Sequence, residues 1–188
     1  MVGISIGTRA DCVEEGLFEY LAELSKEVDV WIEFGIQSTY NRVLDGINRA
    51  ESFEDIALRI KEAKSYGLNV CGHMIFGLPD ESETEMIEGM QKVYDLEVDS
   101  LKFHPCYVTK NTALASQFRS GKYTPLTQEA YVRVLSNVLA AMPKHISVQR
   151  FSAGISDSSL LSPAWCAQSK NRQTKSIKEG LLEVGLRY

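Results

Sequence analysis

The sequence predicts a parallel α/β fold, and three observations lead to that prediction. Short runs of β-branched and aromatic residues alternate with longer segments of helical periodicity, which is the pattern of repeated strand and helix units. The connecting segments of about 15 residues are long enough for the helical crossovers that parallel strands need. A chain of 188 residues with 44% hydrophobic residues also suits a single domain of ordinary size. We therefore expect a parallel sheet covered by helices.

Five strands are predicted in order along the chain, because each is a short apolar run of β-forming residues. They cover Val2 to Gly7, Val28 to Gly35, Leu68 to Phe76, Asp99 to Pro105 and, with a weaker pattern, His145 to Phe151.

Helices are predicted between and after these strands from apolar residues spaced three and four apart and from capping residues. Gly67 is the expected cap at the end of one helix, and Ser82 with Glu85 forms a capping box at the start of another. The predicted helices cover about Asp11 to Lys26, Phe53 to Ser65, a segment opening at Ser82, Thr127 to Met142, and Thr174 to Val184.

Polar residues occupy every second position of the predicted strands, so one face of the sheet is polar. Strands of a buried parallel sheet are normally apolar on both faces, and this alternation therefore indicates the inside of a curved sheet, such as an open barrel with a ligand in it. An antiparallel sheet with one solvated face would alternate in the same way. The polar set is Ser5, Gly7, Arg9, Glu33, Gly35, Gln37, His73, Lys102 and His104.

Composition excludes several classes of protein. No apolar run approaches the ~18 residues of a membrane span, and the start of the chain enters a strand pattern without a basic segment typical of secretion signals. A net charge of -5 with scattered basic residues disfavours duplex nucleic acid as the main partner. The cysteines are far apart, without a CxxC pair, which predicts a reduced cytoplasmic chain with neither a disulfide framework nor a zinc ribbon. They are Cys12, Cys71, Cys106 and Cys166.

Four motifs carry a resemblance that extends along nearly the whole chain. Together they resemble radical S-adenosylmethionine proteins, in particular the uncharacterised bacterial branch of the YhcC type. Oxygen-independent coproporphyrinogen oxidase and the Elongator catalytic subunit are similar more distantly. The motifs run from Gly7 to Cys12, from Trp31 to Ser38, from Ile47 to Arg49 and from His73 to Pro79.

The resemblance implies a partial (β/α)6 barrel of the TIM type. Residues 1–123 are expected to supply strands three to six of that core, and residues 124–188 a C-terminal helical extension that packs on it. The family binds S-adenosylmethionine and a [4Fe-4S] cluster, whose CxxxCxxC loop has no counterpart in this chain. The resemblance therefore implies the C-terminal part of a radical S-adenosylmethionine enzyme with oxidoreductase-like chemistry. In such a fragment the cluster ligands belong to the full-length parent, and the chain alone is inactive.

The same resemblance implies roles for individual residues. Gln37, Arg49 and His73 match positions that contact S-adenosylmethionine in the coproporphyrinogen oxidase branch, although that branch has aspartate where this chain has His73. Thr8 and Arg9 end the strand that contributes a further contact. The parent reaction cleaves S-adenosylmethionine reductively to a deoxyadenosyl radical, which abstracts hydrogen from a substrate. We assign no catalytic residue; the residues expected to orient the substrate are Lys102, His104, Tyr107 and Glu33.

Other interpretations stay open from the sequence. The competing class is a non-catalytic α/β module that binds a nucleotide or a metal, with Cys71, His73, His104 and Cys106 as conceivable zinc ligands, although no metal site is expected. The substrate is unknown, and RNA or tRNA is not excluded. If the preceding barrel strands are absent, the first strand presents an unprotected edge, which predicts self-association through that strand.

Overall fold

A computed structural model describes residues 3–153, 155 and 158–188 of the chain. Among these residues the strands are β1 (Gly3–Thr8), β2 (Asp29–Gln37), β3 (Asn69–Phe76), β4 (Ser100–Pro105), β5 (Val108–Thr109), β6 (Ser147–Arg150) and β7 (Leu160–Ser162). The helices are α1 (Leu17–Leu24), α2 (Asn41–Gly46), α3 (Phe53–Ser65), α4 (Glu83–Tyr94), α5 (Ala113–Arg119), α6 (Gln128–Ala141) and α7 (Lys170–Glu183). Short 3-10 helices cover Ala10–Cys12 and Ala164–Ala167.

The main sheet has the strand order β1-β2-β3-β4-β6 and is parallel. In its first two pairings Gly3 lies opposite Asp29, and Trp31 lies opposite Asn69. This parallel pairing confirms the predicted α/β class and excludes the antiparallel alternative for these strands. The predicted strands all exist, with ends that differ by one or two residues; Val2, the predicted start of the first, lies outside the described residues.

The chain divides into two compact units. The first contains the residues up to Met74, Gly89–Lys102 and Pro143–Gln149, and the second contains Ile75–Glu88, Phe103–Met142 and Arg150–Tyr188. The division of the chain at residue 123 that the resemblance implies stays a prediction. No helix among the described residues is long and apolar enough to cross a membrane.

The core of the first unit follows from the alternation in β2. The apolar residues at every second position from Val30 to Ile36 are all buried, while Trp31, Glu33 and Gly35 on the other parity are only partly covered. Helix α3 buries residues at helical spacing, and a capping box between Ser52 and Asp55 fixes its first turn. The buried set from these two elements is Val30, Ile32, Phe34, Ile36, Phe53, Ile56, Ile60 and Ala63.

The second unit packs around aromatic side chains and helices α6 and α7. Phe76 and Phe103 stack with ring centroids 5.5 Å apart, and the fully buried Tyr131 donates its hydroxyl hydrogen bond to the Phe151 carbonyl at 2.7 Å. The predicted capping box is confirmed here, since the Glu85 amide donates to Ser82 Oγ at 3.3 Å and the Ser82 amide to Glu85 Oε2 at 2.9 Å.

Two predicted helix starts are wrong. The helix expected from Asp11 begins at Leu17, because Gly16 lies in the left-handed region with a φ of 82° and interrupts the helix before it. The last helix begins at Lys170 instead of Thr174. The sequence also gave no signal for the small antiparallel sheet of β5 and β7, which are strands of two and three residues.

Candidate functional site

The first unit contains a cleft of about 490 Å³ at the C-terminal ends of β1, β2 and β3. The C-terminal ends of parallel strands meet at one edge of a sheet, where ligands of α/β proteins commonly bind. The five residues expected to contact S-adenosylmethionine and the expected substrate residue Glu33 all lie in its lining. The lining consists of Gly7, Thr8, Arg9, Cys12, Glu33, Gly35, Gln37, Arg49 and His73.

Gln37 ends β2 in an uncommon backbone conformation. Its φ is 67°, and the amide of Ser38 donates to the Ile36 carbonyl at 2.9 Å, which closes a three-residue turn around Gln37. The pairing of β2 with β3 shifts register between Gly35 and Gln37 at the same point. A non-glycine residue at positive φ costs free energy, and such residues concentrate at functional sites. This turn leads the chain out of the sheet at the cleft.

Because Gly35 has no side chain, the Gln37 side chain can occupy the space beside it. A Cβ atom at position 35 would lie 2.5 Å from Gln37 Nε2 and 3.6 Å from Arg49 Nη2. A side chain there would therefore displace the amide. The absence of a side chain at Gly35 therefore lets Gln37 and Arg49, which are both expected to contact S-adenosylmethionine, lie side by side.

Arg49 is held by a carbonyl and by a buried carboxylate. Its Nη2 atom donates to the Gly35 carbonyl at 2.8 Å and forms an ion pair with Glu51, whose side chain is only 2% exposed. Glu51 Oε2 also accepts the amide of Asp11 at 3.1 Å. Glu51 therefore connects the segment after β1 with the segment after α2.

Arg9 reaches the same carboxylate cluster from the end of β1. Its guanidinium donates two hydrogen bonds to Asp11, at 2.8 and 2.5 Å, and its Nε atom lies 3.8 Å from Glu51 Oε1. The hydrogen bond from Arg9 lowers the pKa of Asp11. Because this pair is largely exposed, its contribution to stability is small.

Glu33 accepts hydrogen bonds from three other strands of the sheet, β1, β3 and β4. Ser5 Oγ donates to Oε1, while His73 Nε2 at 2.7 Å and Lys102 Nζ at 2.5 Å share Oε2. Burial would raise the pKa of Glu33, but the hydrogen bonds from Lys102, Ser5 and His73 outweigh it and lower the pKa from 4.5 to about 2. An ionised carboxylate only accepts hydrogen bonds, so His73 carries a proton on Nε2.

The expected substrate residues do not all fall into this network. Lys102 lies on the predicted polar face, and it is nearly buried, with 11% of its side chain exposed, because it pairs with Glu33. His104 and Tyr107 belong to the second unit and are partly buried there. The role of all these residues in orienting a substrate stays a prediction.

Sequence reasoning missed Glu51, although it stands only two positions after Arg49. An acidic residue two positions after a basic one and just before a helix is usually a solvated charge, so sequence spacing alone provided no reason to expect its burial. The role of Gly35 as open space for Gln37 was also missed, because that contact depends on the turn at Gln37.

No group of three or more histidine, cysteine, aspartate or glutamate side chains in the described part of the chain could hold a metal ion. Among the described residues, the four cysteines form no disulfide bond; Cys71 and Cys166 are buried and Cys12 is exposed. The described residues therefore support neither the zinc alternative nor ligation of a [4Fe-4S] cluster, which needs several converging thiolates.

Comparison with known proteins identifies the family. A family model described as the Radical SAM superfamily matches residues 1–93, and one described as the Radical SAM C-terminal domain matches residues 98–183. The uncharacterized protein MJ0486 of Methanocaldococcus jannaschii is 35% identical over 100% of this chain and 60% of its own length. Protein YhcC of Escherichia coli is 31% identical over 95% of this chain and 57% of its own length. The chain thus spans little more than half of these curated relatives.

A solved structure gives the same result for the fold. The archaeal Elp3 of Methanocaldococcus infernus with an N-terminal deletion matches 99% of this chain and 43% of that chain, with a TM-score of 0.82 and 25% sequence identity. The resemblance to the family, including its YhcC and Elongator relatives, is confirmed. Since the two family models together cover nearly all of the sequence, the chain belongs to the radical S-adenosylmethionine superfamily.

Proposed function

We propose that this chain supplies the S-adenosylmethionine and substrate cleft of a radical S-adenosylmethionine enzyme. The observation that supports the proposal is the convergence of side chains from separate segments on one cleft. Thr8 and Arg9 come from the end of β1, Gln37 from the end of β2, Arg49 from the segment after α2 and His73 from β3. Membership of the superfamily agrees with it.

The donor set of the cleft suits S-adenosylmethionine. A volume of about 490 Å³ lies within the usual range for small-molecule sites, about 300 to 1,000 Å³. The amide of Gln37 and the imidazole of His73 offer directional hydrogen bonds to ribose hydroxyls, and the Arg49 guanidinium suits a carboxylate. When bound in enzymes of this family, S-adenosylmethionine supplies the carbon radical that abstracts hydrogen from the substrate.

The cluster does not fit the described residues, so no step through it is assigned to them. We propose that a full-length parent provides its ligands and that this chain alone is inactive. The relatives are longer than the chain, which is consistent with that proposal. A cytoplasmic location stays a prediction.

The Glu33 network is the proposed contact region for the substrate. An ionised carboxylate paired with Lys102 in a partly buried setting can orient a polar substrate group by charge and hydrogen bonding. Lys102, His104 and Tyr107 remain the other proposed substrate residues. Small molecules and RNA are both compatible with this chemistry, and we do not assign the substrate between them.

Isothermal titration of the chain with S-adenosylmethionine tests the proposal, with nuclear magnetic resonance shifts used to locate the ligand. Gln37→Ala should weaken binding about tenfold through loss of one or two hydrogen bonds. The matched control is Gln91→Ala, which removes an exposed amide on α4 and should leave the affinity unchanged. AMP binding with equal affinity would favour the non-catalytic nucleotide-binding alternative, and absence of shifts at Gln37, Arg49 and His73 at saturating ligand would refute the proposed cleft.

A further inference from the structure

Glu51 is a buried charge that the proposed function does not use. Its side chain is 2% exposed, and it contacts both arginines that line the cleft, pairing with Arg49 and lying 3.8 Å from Arg9 Nε. A buried carboxylate is costly unless it is paired, and here two guanidinium groups and the Asp11 amide compensate for its burial. Glu51 itself does not line the cleft, so it acts on a ligand only through the arginines.

The charges around the cleft balance one another. Arg49 pairs with Glu51, Arg9 with Asp11, and Lys102 with Glu33. Two unpaired guanidinium groups at a cleft would attract phosphate and carboxylate anions strongly, because their fork of donors matches those groups. Pairing with carboxylates offsets this positive charge, while the remaining N–H groups of the guanidinium can still donate hydrogen bonds to the carboxylate of a zwitterionic ligand.

We propose that Glu51 is a positioning residue that orients and neutralises the two cleft arginines, so that the cleft accepts a cationic sulfonium ligand in preference to an anion. The proposal rests on the proposed function, because the sulfonium ligand is S-adenosylmethionine. S-adenosylhomocysteine is the matched probe, since it lacks the methyl group and the positive charge of the sulfonium. Inorganic phosphate is the probe for anion binding.

Glu51→Gln tests the proposal with almost no change in side-chain volume. Removing one negative charge beside the arginines should lower the ratio of affinities for S-adenosylmethionine over S-adenosylhomocysteine about fivefold. It should also create measurable binding of inorganic phosphate that the unmodified chain lacks. The matched control is Glu88→Gln, which removes an exposed carboxylate of α4 that does not line the cleft and should change neither result.

A second variant covers the case in which Glu51→Gln does not fold. Arg9 has a side chain that is 39% exposed, and Arg9→Gln removes one positive charge at the same cluster while the closer pair of Arg49 with Glu51 stays in place. It should shift the affinity ratio in the opposite direction, toward S-adenosylmethionine. Glu51→Asp keeps the charge, so it should keep the ratio of the unmodified chain even where a shorter reach weakens both ligands.

The outcomes separate the two proposals. Equal weakening of both ligands by Glu51→Gln, without phosphate binding, would mean that Glu51 is only structural and would overturn this inference. An unchanged ratio in Arg9→Gln would overturn it as well. Failure of the unmodified chain to bind either ligand would refute the proposed function, and phosphate binding gained by Glu51→Gln would still decide whether Glu51 controls the charge of the cleft.

Discussion

Replacing Glu33 by glutamine should destabilise the chain by about 3 kcal/mol at pH 7. The pKa of Glu33 is lowered from 4.5 to about 2, because hydrogen bonds from Lys102, Ser5 and His73 outweigh the cost of burial. Each pKa unit corresponds to about 1.4 kcal/mol, so the folded chain stabilises the ionised carboxylate by about 3 kcal/mol. The side chain is 12% exposed, and solvent therefore screens these contacts only weakly.

The pH dependence has a definite direction. A carboxylate whose pKa is lower in the folded state contributes its full stabilisation above the pKa of the unfolded state, which is 4.5, and loses it as the pH falls through the folded value of about 2. The unmodified chain should therefore lose about 3 kcal/mol between about pH 5 and pH 2 through Glu33 alone. Glu33→Gln should lack that part of the loss.

Urea unfolding followed by circular dichroism at pH 7 and at about pH 3.5 measures both effects. At about pH 3.5, Glu33 is still largely ionised in the folded state but largely protonated in the unfolded state. Glu88→Gln is the control for loss of a carboxylate at an exposed site. A double-mutant cycle with Lys102→Met should give a coupling energy of about 2 to 3 kcal/mol, because each single change leaves a nearly buried charge without its partner. A Glu33→Gln chain within about 0.5 kcal/mol of the unmodified one at pH 7, with a parallel pH profile, would refute this reasoning.

Three other predictions follow from positions near the cleft. Gln37→Gly should raise the free energy of unfolding by up to about 1 kcal/mol, since glycine tolerates the φ of 67°, while the affinity for S-adenosylmethionine falls; equal or lower stability in urea would contradict this account of the turn. Gly72→Ala should destabilise by about 1 to 3 kcal/mol because its Cβ would lie 2.8 Å from Ile36 Cδ1, and Ile36→Val should restore part of the loss in the same urea assay. Strand β1 is the terminal strand of the sheet, so light scattering over a concentration series should detect self-association; a monodisperse monomer with slow amide exchange in β1 would disprove it.

The period-two pattern of the strands made the polar face predictable from the sequence. In β2, Glu33 and Gln37 point to one face of the sheet, and the buried Ile32 and Phe34 point to the other. This division can be read from the local sequence, since successive side chains of a strand point to opposite faces. Parallel pairing then brings the ends of neighbouring strands to one edge. The residues of the cleft could therefore be named from sequence and resemblance together.

The partners of those residues could not be predicted, because they depend on contacts between segments far apart in the chain. Lys102 lies 69 positions from Glu33. Glu51 accepts a hydrogen bond from the amide of Asp11, which lies 40 positions away in the sequence. Nothing in the local sequence of Glu51 distinguishes it from an exposed carboxylate. The late start of the first helix had a local signal in Gly16, but glycine alone does not fix where a helix begins.

A crystal structure of the chain with S-adenosylmethionine bound tests the central claim most directly. The ligand should occupy the cleft at the ends of β1, β2 and β3, with hydrogen bonds to Gln37 and His73 while Arg49 remains paired with Glu51. Ligand bound elsewhere on the chain, or a cleft that stays empty in crystals grown at saturating ligand, would contradict the claim that these residues form the S-adenosylmethionine site.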